Sequence, residues 1–366
     1  MKPLIDGIVG ARPNMMKMAP LARVVAEDGS FDLRIVHTGQ HYDYAMSGVF
    51  LQELGLREPF VNLETGAESD GQDEQTAAII ERYGQFLDKN GSPHGVVVVG
   101  DVNSTLACSI VAAKRQIPIA HVEAGLRSFD RLMPEEINRI VCDSLSSVLL
   151  VSEQSGMVNL EREGHSRESM HFVGNIMIDS LMQALGQADK SDIQDRFGVK
   201  PGQYVYLTLH RPSNVDNPEI LKSLLQTFDE LSIEKPIVFA VHPRTRKQMN
   251  RLRISFQSKS MITSEPLCYT DSLKLMRDAW AIMTDSGGMQ EESSVLGIPC
   301  LTLRFNTERP ITTTLGTSEL VGNDSAAIKD AWRRIAGDRW RKANPIPLWD
   351  GETAGRIVDV LKKEWL

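Results

Sequence analysis

Three carboxylates stand where the sequence predicts a strand to end or a helix to begin. Asp101 follows the apolar run Gly95–Val99, and Glu123 ends another apolar run. Glu135 comes directly after Pro134, a residue whose fixed φ and missing N–H suit the first turn of a helix. Open α/β sheets bind ligands at the carboxyl ends of their strands, so these side chains are candidates for proton transfer. Helix capping is the simpler alternative for Asp101 and Glu135.

Basic side chains beside several predicted turns favour an anionic ligand. Arg12 and Lys17 flank a strand–glycine–helix junction, where backbone N–H groups and the positive helix end suit phosphate. His210 and Arg211 follow a later strand and suit a diphosphate, because arginine carries a fixed charge and histidine can titrate. His242 repeats this pattern after the next strand. A surface pair at a turn is the plain alternative for these histidines and arginines.

The clearest nucleotide-binding feature is the turn formed by Ser286, Gly287 and Gly288. Two glycines at a helix start let phosphate approach bare N–H groups, and the helix dipole favours its charge. A carboxylate one turn later, Glu291 or Glu292, is placed to hold both ribose hydroxyls. No Walker lysine follows and no G-x-G-x-x-G is present, so the motifs give no support to an ATPase or a simple dinucleotide-binding protein. A glycine turn that only fits the backbone is the alternative.

Composition argues against several classes of protein. The net charge of −8 disfavours a nucleic-acid or anionic-membrane surface. The four cysteines are far apart and form no C-x-x-C pair, which is typical of reduced cysteines in a cytoplasmic protein. No run approaches the roughly 18 apolar residues of a membrane span. The histidines, cysteines and carboxylates show no metal-like spacing, so we expect no metal.

Strands and helices alternate through both halves of the chain, which predicts two Rossmann-like, doubly wound α/β domains. A polar, charge-mixed stretch over 186–200 indicates a crossover. The expected domains are therefore 1–185 and 186–350, followed by a last helical segment, 351–366. All the polar clusters follow strands, so both domains are expected to direct them to one interdomain active-site cleft.

Two local predictions concern the helices that carry these residues. Pro20 is expected to end or kink the first helix at Ala19, because proline has no N–H to continue the hydrogen-bond ladder. In the helix that carries Glu135, the residue Arg139 lies four positions later, so these two side chains are expected to pair. Ile137 belongs to an apolar series at helical spacing and is expected to face a core.

Together the motifs resemble a known family, the non-hydrolysing UDP-N-acetylglucosamine 2-epimerases. The resemblance extends from about Val9 to Gly322 and implies two domains of the GT-B type, with the last helix crossing back onto the amino-terminal domain. The motifs that carry it, in the family's order and spacing, are GARPNMMKMAPL, TGQH, GDVNSTLA, HVEAGLRSFD, MPEEINR, HRPSN, TDSGGMQEE and NTERP.

The resemblance implies inversion at C2, which converts UDP-N-acetylglucosamine to UDP-N-acetylmannosamine. UDP leaves to give a 2-acetamidoglucal and then adds back with the proton on the other face. The chain is expected to need no cofactor, because nothing is oxidised, and to act as a homodimer in cell-envelope polysaccharide biosynthesis. The implied catalytic residues are Asp101, Glu123, Glu135 and His210. The implied substrate-binding residues are Arg12, Lys17, Arg211, His242, Ser286, Gly287, Gly288, Glu292 and Arg309.

Several positions depart from the family's motifs. Asn14 stands where most members have glutamate, and Pro212 with Ser213 replaces the middle of the commoner H-R-x-E-N. These two departures leave the exact sugar open. The runner-up is a UDP-2,3-diacetamido-uronic acid epimerase, and a hydrolysing epimerase or a UDP-sugar-binding GT-B protein are further alternatives.

A second UDP-sugar activates some members of the family. The resemblance places Gln40, Asp43, Glu136 and Arg211 around that possible allosteric site. Asp43 brings a negative charge towards an anionic ligand, and like charges repel. We therefore expect an enzyme that works without a bound activator or binds it weakly.

Overall fold

The computed structural model describes residues 2–39, 55–56, 59–65 and 71–366. The chain divides into two compact units. Unit 1 comprises Met1–Ser180 and Pro347–Leu366, and unit 2 comprises Leu181–Ile346. Residues 181–185 thus fall in unit 2 and residues 347–350 in unit 1, because one helix runs through the first boundary without a break.

Within the described residues, unit 1 contains one parallel sheet with the strand order β3-β2-β1-β4-β5-β6-β7. The strands are β1 (Leu4–Val9), β2 (Asp32–His37), β3 (Val61–Asn62), β4 (Gly95–Val99), β5 (Ile119–Ala124), β6 (Val148–Val151) and β7 (Met170–Phe172). The helices described are α1 (Arg12–Asp28), α2 (Gln72–Asn90), α3 (Asn103–Lys114), α4 (Pro134–Leu145), α5 (Gln154–Arg162) and α6 (Ile176–Ala188), the last of which runs into unit 2.

Unit 2 repeats the arrangement with the strand order β10-β9-β8-β11-β12-β13, again all parallel. Its strands are β8 (Val205–Leu209), β9 (Ile237–Val241), β10 (Met261–Ser264), β11 (Ala281–Thr284), β12 (Cys300–Thr302) and β13 (Ser318–Leu320). Its helices are α7 (Ile193–Phe197), α8 (Pro212–Val215), α9 (Pro218–Ser232), α10 (Pro243–Leu252), α11 (Tyr269–Arg277), α12 (Gly287–Leu296), α13 (Ile311–Thr314) and α14 (Ser325–Ala336). The last helix of the chain, α15 (Thr353–Trp365), belongs to unit 1.

Both sheets have the Rossmann strand order, and the predicted fold class is confirmed. All five residues of β4 are buried, as expected of a central parallel strand covered on both faces. The order reverses between β1 and β4 in unit 1 and between β8 and β11 in unit 2. Open α/β sheets bind ligands beside such switch points, at the carboxyl ends of the strands.

The prediction that Pro20 ends α1 at Ala19 is wrong, because α1 continues to Asp28, and the alternative of a kink there stays a prediction. Pro20 leaves the carbonyl of Met16 without its helical donor. The hydroxyl of Ser180, on α6, donates to that carbonyl instead. A tertiary hydrogen bond thus replaces the missing helical one, and nothing in the local sequence reveals it.

Helix α15 completes unit 1. It packs on α1, buries Ile357, Val358 and Leu361, and Lys362 pairs with Asp28 at 2.8 Å. No helix among the residues described is long and apolar enough to cross a membrane.

Candidate active site

Asp101 lies at the carboxyl end of β4, beside the switch point of unit 1. Capping does not explain it, because the N-cap residue of α3 is Val102. Its Oδ2 accepts hydrogen bonds from Nε and Nη2 of Arg139, at 3.0 and 2.6 Å. The side chain is 28% exposed, so this carboxylate combines a buried cation behind it with access to solvent.

Glu123 lies beside the same turn, on the neighbouring strand β5. Its backbone has φ of 71°, an uncommon left-handed conformation for a residue other than glycine. Its carboxylate forms a buried ion pair of 2.5 Å with Nζ of Lys17. A Cβ atom at Gly100 would lie 2.9 Å from that Nζ and 3.7 Å from Glu123 Oε2. The structure thus brings Lys17, Glu123 and the turn before Asp101 together.

The predicted pair between Glu135 and Arg139 is wrong. Arg139 contacts Asp101 and also donates to Glu136 at 2.7 Å. Glu135 is half-buried in the first turn of α4. The expectation that Ile137 faces a core is also wrong, because this side chain is 41% exposed.

The inward face of α4 is instead polar, and Glu136 belongs to it. Glu136 accepts hydrogen bonds from the N–H groups of Ser128 and Phe129 at 2.8 and 2.9 Å. Burial raises the pKa of the Glu136 carboxyl, but these hydrogen bonds and Arg139 more than offset that and leave the pKa below its ordinary value. In the structure Glu136 therefore fixes its own loop, and its role towards a second UDP-sugar stays a prediction.

The turn after β1 carries Arg12 and Asn14. Arg12 is exposed and begins α1. Asn14 is buried, and its Oδ1 accepts from the N–H groups of Gly10 and Ala11 at 3.2 and 3.0 Å. Its amide Nδ2 donates to the carbonyl of Val99 at 2.9 Å. Asn14 thus ties the end of β1 to the end of β4, a task that needs both a donor and an acceptor.

A buried network beneath these turns escaped the sequence analysis. His121 Nδ1 lies 2.6 Å from Oδ1 of Asp143, and its Nε2 lies 2.8 Å from the carbonyl oxygen of Gly100. Oδ2 of Asp143 accepts from the N–H of Gly125 and from Nη2 of Arg127, at 3.0 and 2.7 Å. His121 lies two residues before Glu123 in the HVEAGLR motif, but the sequence alone does not indicate its partner on α4.

In unit 2, His210 follows β8 and Asp285 follows β11, which are adjacent strands. His210 Nδ1 lies 2.8 Å from Oδ1 of Asp285. The N–H groups of His210 and Arg211 and the amide of Asn214 also donate to this carboxylate. Burial raises the pKa of Asp285, but His210 and these N–H groups outweigh it and lower the pKa overall. Asp285 therefore orients the ring of His210.

His242 lies near His210, with ring centroids 5.5 Å apart. Its Nδ1 accepts a hydrogen bond of 3.2 Å from the N–H of Arg244 and so caps α10. That nitrogen therefore carries no proton. Burial lowers the pKa of His242, and the neighbouring His210 lowers it further.

Three arginines surround the buried carboxylate of Glu308. Nη2 of Arg304 lies 2.7 Å from its Oε2, while Arg211 and Arg309 approach Oε1 at 3.7 and 3.9 Å. Arg309 also forms an ion pair with Glu291. This part of unit 2 therefore holds cations at the carboxyl ends of its strands, as the sequence predicted for Arg211, and the substrate-binding role of Arg309 stays a prediction.

The glycine turn lies where the sequence predicted it. Ser286 is the N-cap residue of α12, and Gly287 and Gly288 are its first two residues. A Cβ atom at Gly287 would lie 3.1 Å from Nη1 of Arg309, so glycine lets this guanidinium lie against the helix start.

Glu292 is buried one turn further along α12. It accepts a hydrogen bond of 2.7 Å from the hydroxyl of Tyr269. Burial raises the pKa of Glu292 to about 7, a rise that the Tyr269 hydrogen bond reduces and the charge of Glu291 reinforces. A buried carboxyl with this pKa can exchange a proton when a ligand binds.

Gln40 and Asp43, the other residues of the predicted activator site, lie outside the described residues. Within the described ranges, no group of three histidine, cysteine or carboxylate side chains lies close enough to hold a metal ion.

Two Rossmann-like sheets, each with charged residues at its switch point, define a protein of the GT-B class. The sequence comparison goes further. The sequence matches the UDP-N-acetylglucosamine 2-epimerase family over residues 23–362. The chain belongs to this family of isomerases, and the resemblance inferred from its motifs is confirmed.

Individual relatives cover nearly the whole chain. A UDP-N-acetylglucosamine 2-epimerase of Methanocaldococcus jannaschii is 40% identical over 362 residues, which are 97% of each chain. A UDP-2,3-diacetamido-2,3-dideoxy-D-glucuronate 2-epimerase of Pseudomonas aeruginosa is 35% identical, covering 97% of this chain and 98% of its own. A crystal structure of the Methanocaldococcus jannaschii UDP-GlcNAc 2-epimerase in complex with UDP-GlcNAc and UDP aligns with a TM-score of 0.89 and 39% identity, over 98% of this chain and 99% of its own.

Proposed function

We propose that this protein interconverts UDP-N-acetylglucosamine and UDP-N-acetylmannosamine. The observation that carries the proposal is the pair of carboxylates, Asp101 and Glu123, at adjacent strand ends of unit 1, each held by a buried cation. The M. jannaschii relative, similar over its whole length, was solved with UDP-GlcNAc and UDP, which supports the same substrate here.

The first step breaks the C1–O bond to UDP and the C2–H bond. The C2 proton is not beside a carbonyl, so a base alone removes it poorly, and departure of UDP has to lead. Preorganised donors and cations stabilise the charge that develops on the diphosphate. In this proposal the N–H groups at Gly287 and Gly288, with His210 and Arg309, supply them in unit 2.

Unit 1 is proposed to move the protons. Glu123, Asp101 and Glu135 are the candidate acids and bases that take the C2 proton from one face and return one to the other. The electron pair of the C2–H bond becomes the C1=C2 double bond of 2-acetamidoglucal as the C1–O pair leaves with UDP. Re-addition of UDP reverses these changes and gives the epimer. Lys17 is proposed to hold the carboxylate of Glu123 through their ion pair. Arg12 and His242 are proposed to help bind the substrate.

The second candidate substrate is a UDP-2,3-diacetamido-uronic acid. The P. aeruginosa relative named for that sugar is 35% identical over almost the full length. Exposed Arg12 would suit the additional carboxylate of a uronic acid.

One experiment separates these candidates. The protein is incubated in D₂O with UDP-N-acetylglucosamine or with UDP-2,3-diacetamido-glucuronate, and NMR follows the C2 proton and the phosphorus signals. We expect deuterium at C2 and UDP-N-acetylmannosamine as the product from the first sugar. Exchange with the uronic acid alone would assign the second function, and release of free N-acetylmannosamine with UDP would assign a hydrolysing epimerase.

We further propose that the enzyme acts as a cytoplasmic homodimer and works without a second UDP-sugar as activator. The cytoplasmic location rests on its free cysteines, three of them buried, and the homodimer rests on the family resemblance. Light scattering on the purified protein tests the dimer. Prompt, linear turnover of pure UDP-N-acetylmannosamine would support activator-free catalysis, whereas a lag abolished by traces of UDP-N-acetylglucosamine would contradict it.

A further inference from the structure

A series of buried hydrogen bonds joins the turn before Asp101 to the turn after Glu123. It runs from the carbonyl of Gly100 through both nitrogens of His121 to the carboxylate of Asp143, and from there to the N–H of Gly125. His121 and Asp143 are both fully buried. The two ends of this series of hydrogen bonds thus lie at the carboxyl ends of β4 and β5.

The hydrogen-bond acceptors around His121 determine which of its ring nitrogens carry a proton. A carbonyl oxygen has no proton to give, so the 2.8 Å contact with Gly100 requires N–H at Nε2. Asp143 accepts from Gly125 and from the guanidinium of Arg127, a buried cation that favours the ionised carboxylate. The 2.6 Å contact with Asp143 then requires N–H at Nδ1 as well. A ring with both protons is an imidazolium.

The charges around the ring agree with that state. Burial acts to raise the pKa of Asp143, but the charges and hydrogen bonds of His121 and Arg127 outweigh it and lower the pKa overall. Arg127 in turn lies between Asp143 and Glu163, at 2.7 and 2.6 Å. With His121 protonated, two cations face the buried Asp143 and the partly exposed Glu163.

This series of hydrogen bonds fixes the turn at Gly100 relative to β5. Gly100 is held to β5 at both of its polar groups, because its N–H also donates to the carbonyl of Val122 at 3.1 Å. Between the two anchored glycines, Glu123 keeps a φ of 71°. Such a backbone is strained and persists only where its surroundings enforce it.

We propose that His121 carries a proton on both ring nitrogens and acts as a positioning residue that, together with Asp143, fixes Asp101 and Glu123 relative to each other for proton transfer. The two ring protons are inferred from the hydrogen bonds around His121, whereas the consequence for catalysis rests on the proposed epimerase function.

The first test reads the protonation state without any activity. The full-length protein is labelled with ¹⁵N-histidine, and long-range ¹⁵N–¹H NMR at neutral pH assigns His121 by comparison with the H121Q variant. We expect two ring N–H groups at His121. His37 and His242 are matched controls, because Nδ1 of each accepts a backbone N–H and carries no proton. A single ring N–H at His121 would overturn the proposal even if the enzyme proves to be an epimerase.

The second test separates positioning from stability. H121Q and D143N are compared with D6N, which breaks another buried ion pair of unit 1, between Asp6 and Arg34. We expect H121Q and D143N to lower kcat by up to about 100-fold, because small misplacements of reacting groups are that costly. KM should change little, since UDP is proposed to bind in unit 2.

D6N is expected to lose stability while its kcat is kept. Wild-type kcat in folded H121Q and D143N, or an equal loss of kcat in D6N at the same loss of stability, would overturn the positioning role. Where H121Q does not fold, D143N serves both to identify the His121 signals and to compare kcat. Absence of any epimerase activity in the wild-type protein would instead contradict the proposed function.

Discussion

At the scale of single residues, each candidate acid–base carboxylate of the strand ends also balances a buried cation. Replacing Asp101 by Asn or Glu123 by Gln removes the proton acceptor, and we expect turnover to fall at least about 10²-fold in each. E123Q should also lower the free energy of unfolding by about 3–5 kcal/mol, because Lys17 loses its partner while buried. Initial rates and urea unfolding measure the two effects.

Glu135 provides the comparison within the same site. It makes no ion pair with another described residue, so E135Q should slow turnover without a comparable loss of stability. Wild-type rates in all three folded variants would place the chemistry elsewhere.

Glu292 gives a prediction about pH. Burial raises the pKa of this carboxyl from 4.5 to about 7. As the pH rises through that window, the unfolded chain releases the proton while the folded protein keeps it. Folding stability should therefore fall with rising pH, by up to about 3 kcal/mol across the window. Urea unfolding at several pH values should show this slope in the wild-type protein and a reduced slope in E292Q.

Glu136 is the opposite case and serves as the control for that measurement. Its pKa is lowered overall, although burial opposes the shift. Its contribution to stability is present above the ordinary carboxyl pKa and is lost as the pH falls. E136Q should lower stability at neutral pH and flatten the loss of stability on the acid side, and an identical change in both variants would contradict these assignments.

At the scale of elements, the sequence predicts strands well and helix interiors less well. Apolar, β-branched runs such as Gly95–Val99 indicate buried strands, and the residues after them were correctly expected at strand ends. The errors concern helices whose environment is decided by distant residues. Pro20 lies inside α1, where the hydroxyl of Ser180 donates to the carbonyl of Met16. The inward face of α4 is polar because Arg139 and Glu136 on that face form hydrogen bonds with Asp101 and Ser128.

The junction between β1 and α1 yields a prediction about Asn14. N14D keeps the acceptor for Gly10 and Ala11 but replaces the donor to Val99 by a second oxygen. Two buried oxygens then face each other, so we expect the free energy of unfolding to fall by about 1–3 kcal/mol. The measurement is urea unfolding at neutral pH.

N217D is the matched control for this substitution. Asn217 caps the exposed start of α9, where its Oδ1 accepts from Glu219 and Ile220. A negative charge at a helix start is favourable, so N217D should be neutral or slightly stabilising. Equal losses in the two variants would show that the hydrogen bond to Val99 does not matter.

At the scale of the whole molecule, the alternation of strands and helices predicts two Rossmann-like sheets, and both are present. The sequence did not reveal the pairs that complete each site, because their members are far apart along the chain. His121 and Asp143 lie on different elements, as do His210 and Asp285. Asp285 was recoverable in principle, since it follows a strand in the same way as Asp101.

The last prediction concerns the return of the chain end to unit 1. Trp365 is buried, covers Gly95 at the start of β4, and its carbonyl contacts the ring of His94 at 2.7 Å. Truncating a buried tryptophan leaves a cavity, so W365A should lower the free energy of unfolding by about 3–5 kcal/mol. L366A is the control, because this neighbouring side chain is 65% exposed. Hydrogen exchange followed by mass spectrometry should show lost protection in β1, β4 and α1, with β8 and β9 unchanged. Equal loss across both sheets would mean that α15 stabilises the molecule as one cooperative unit, not unit 1 alone.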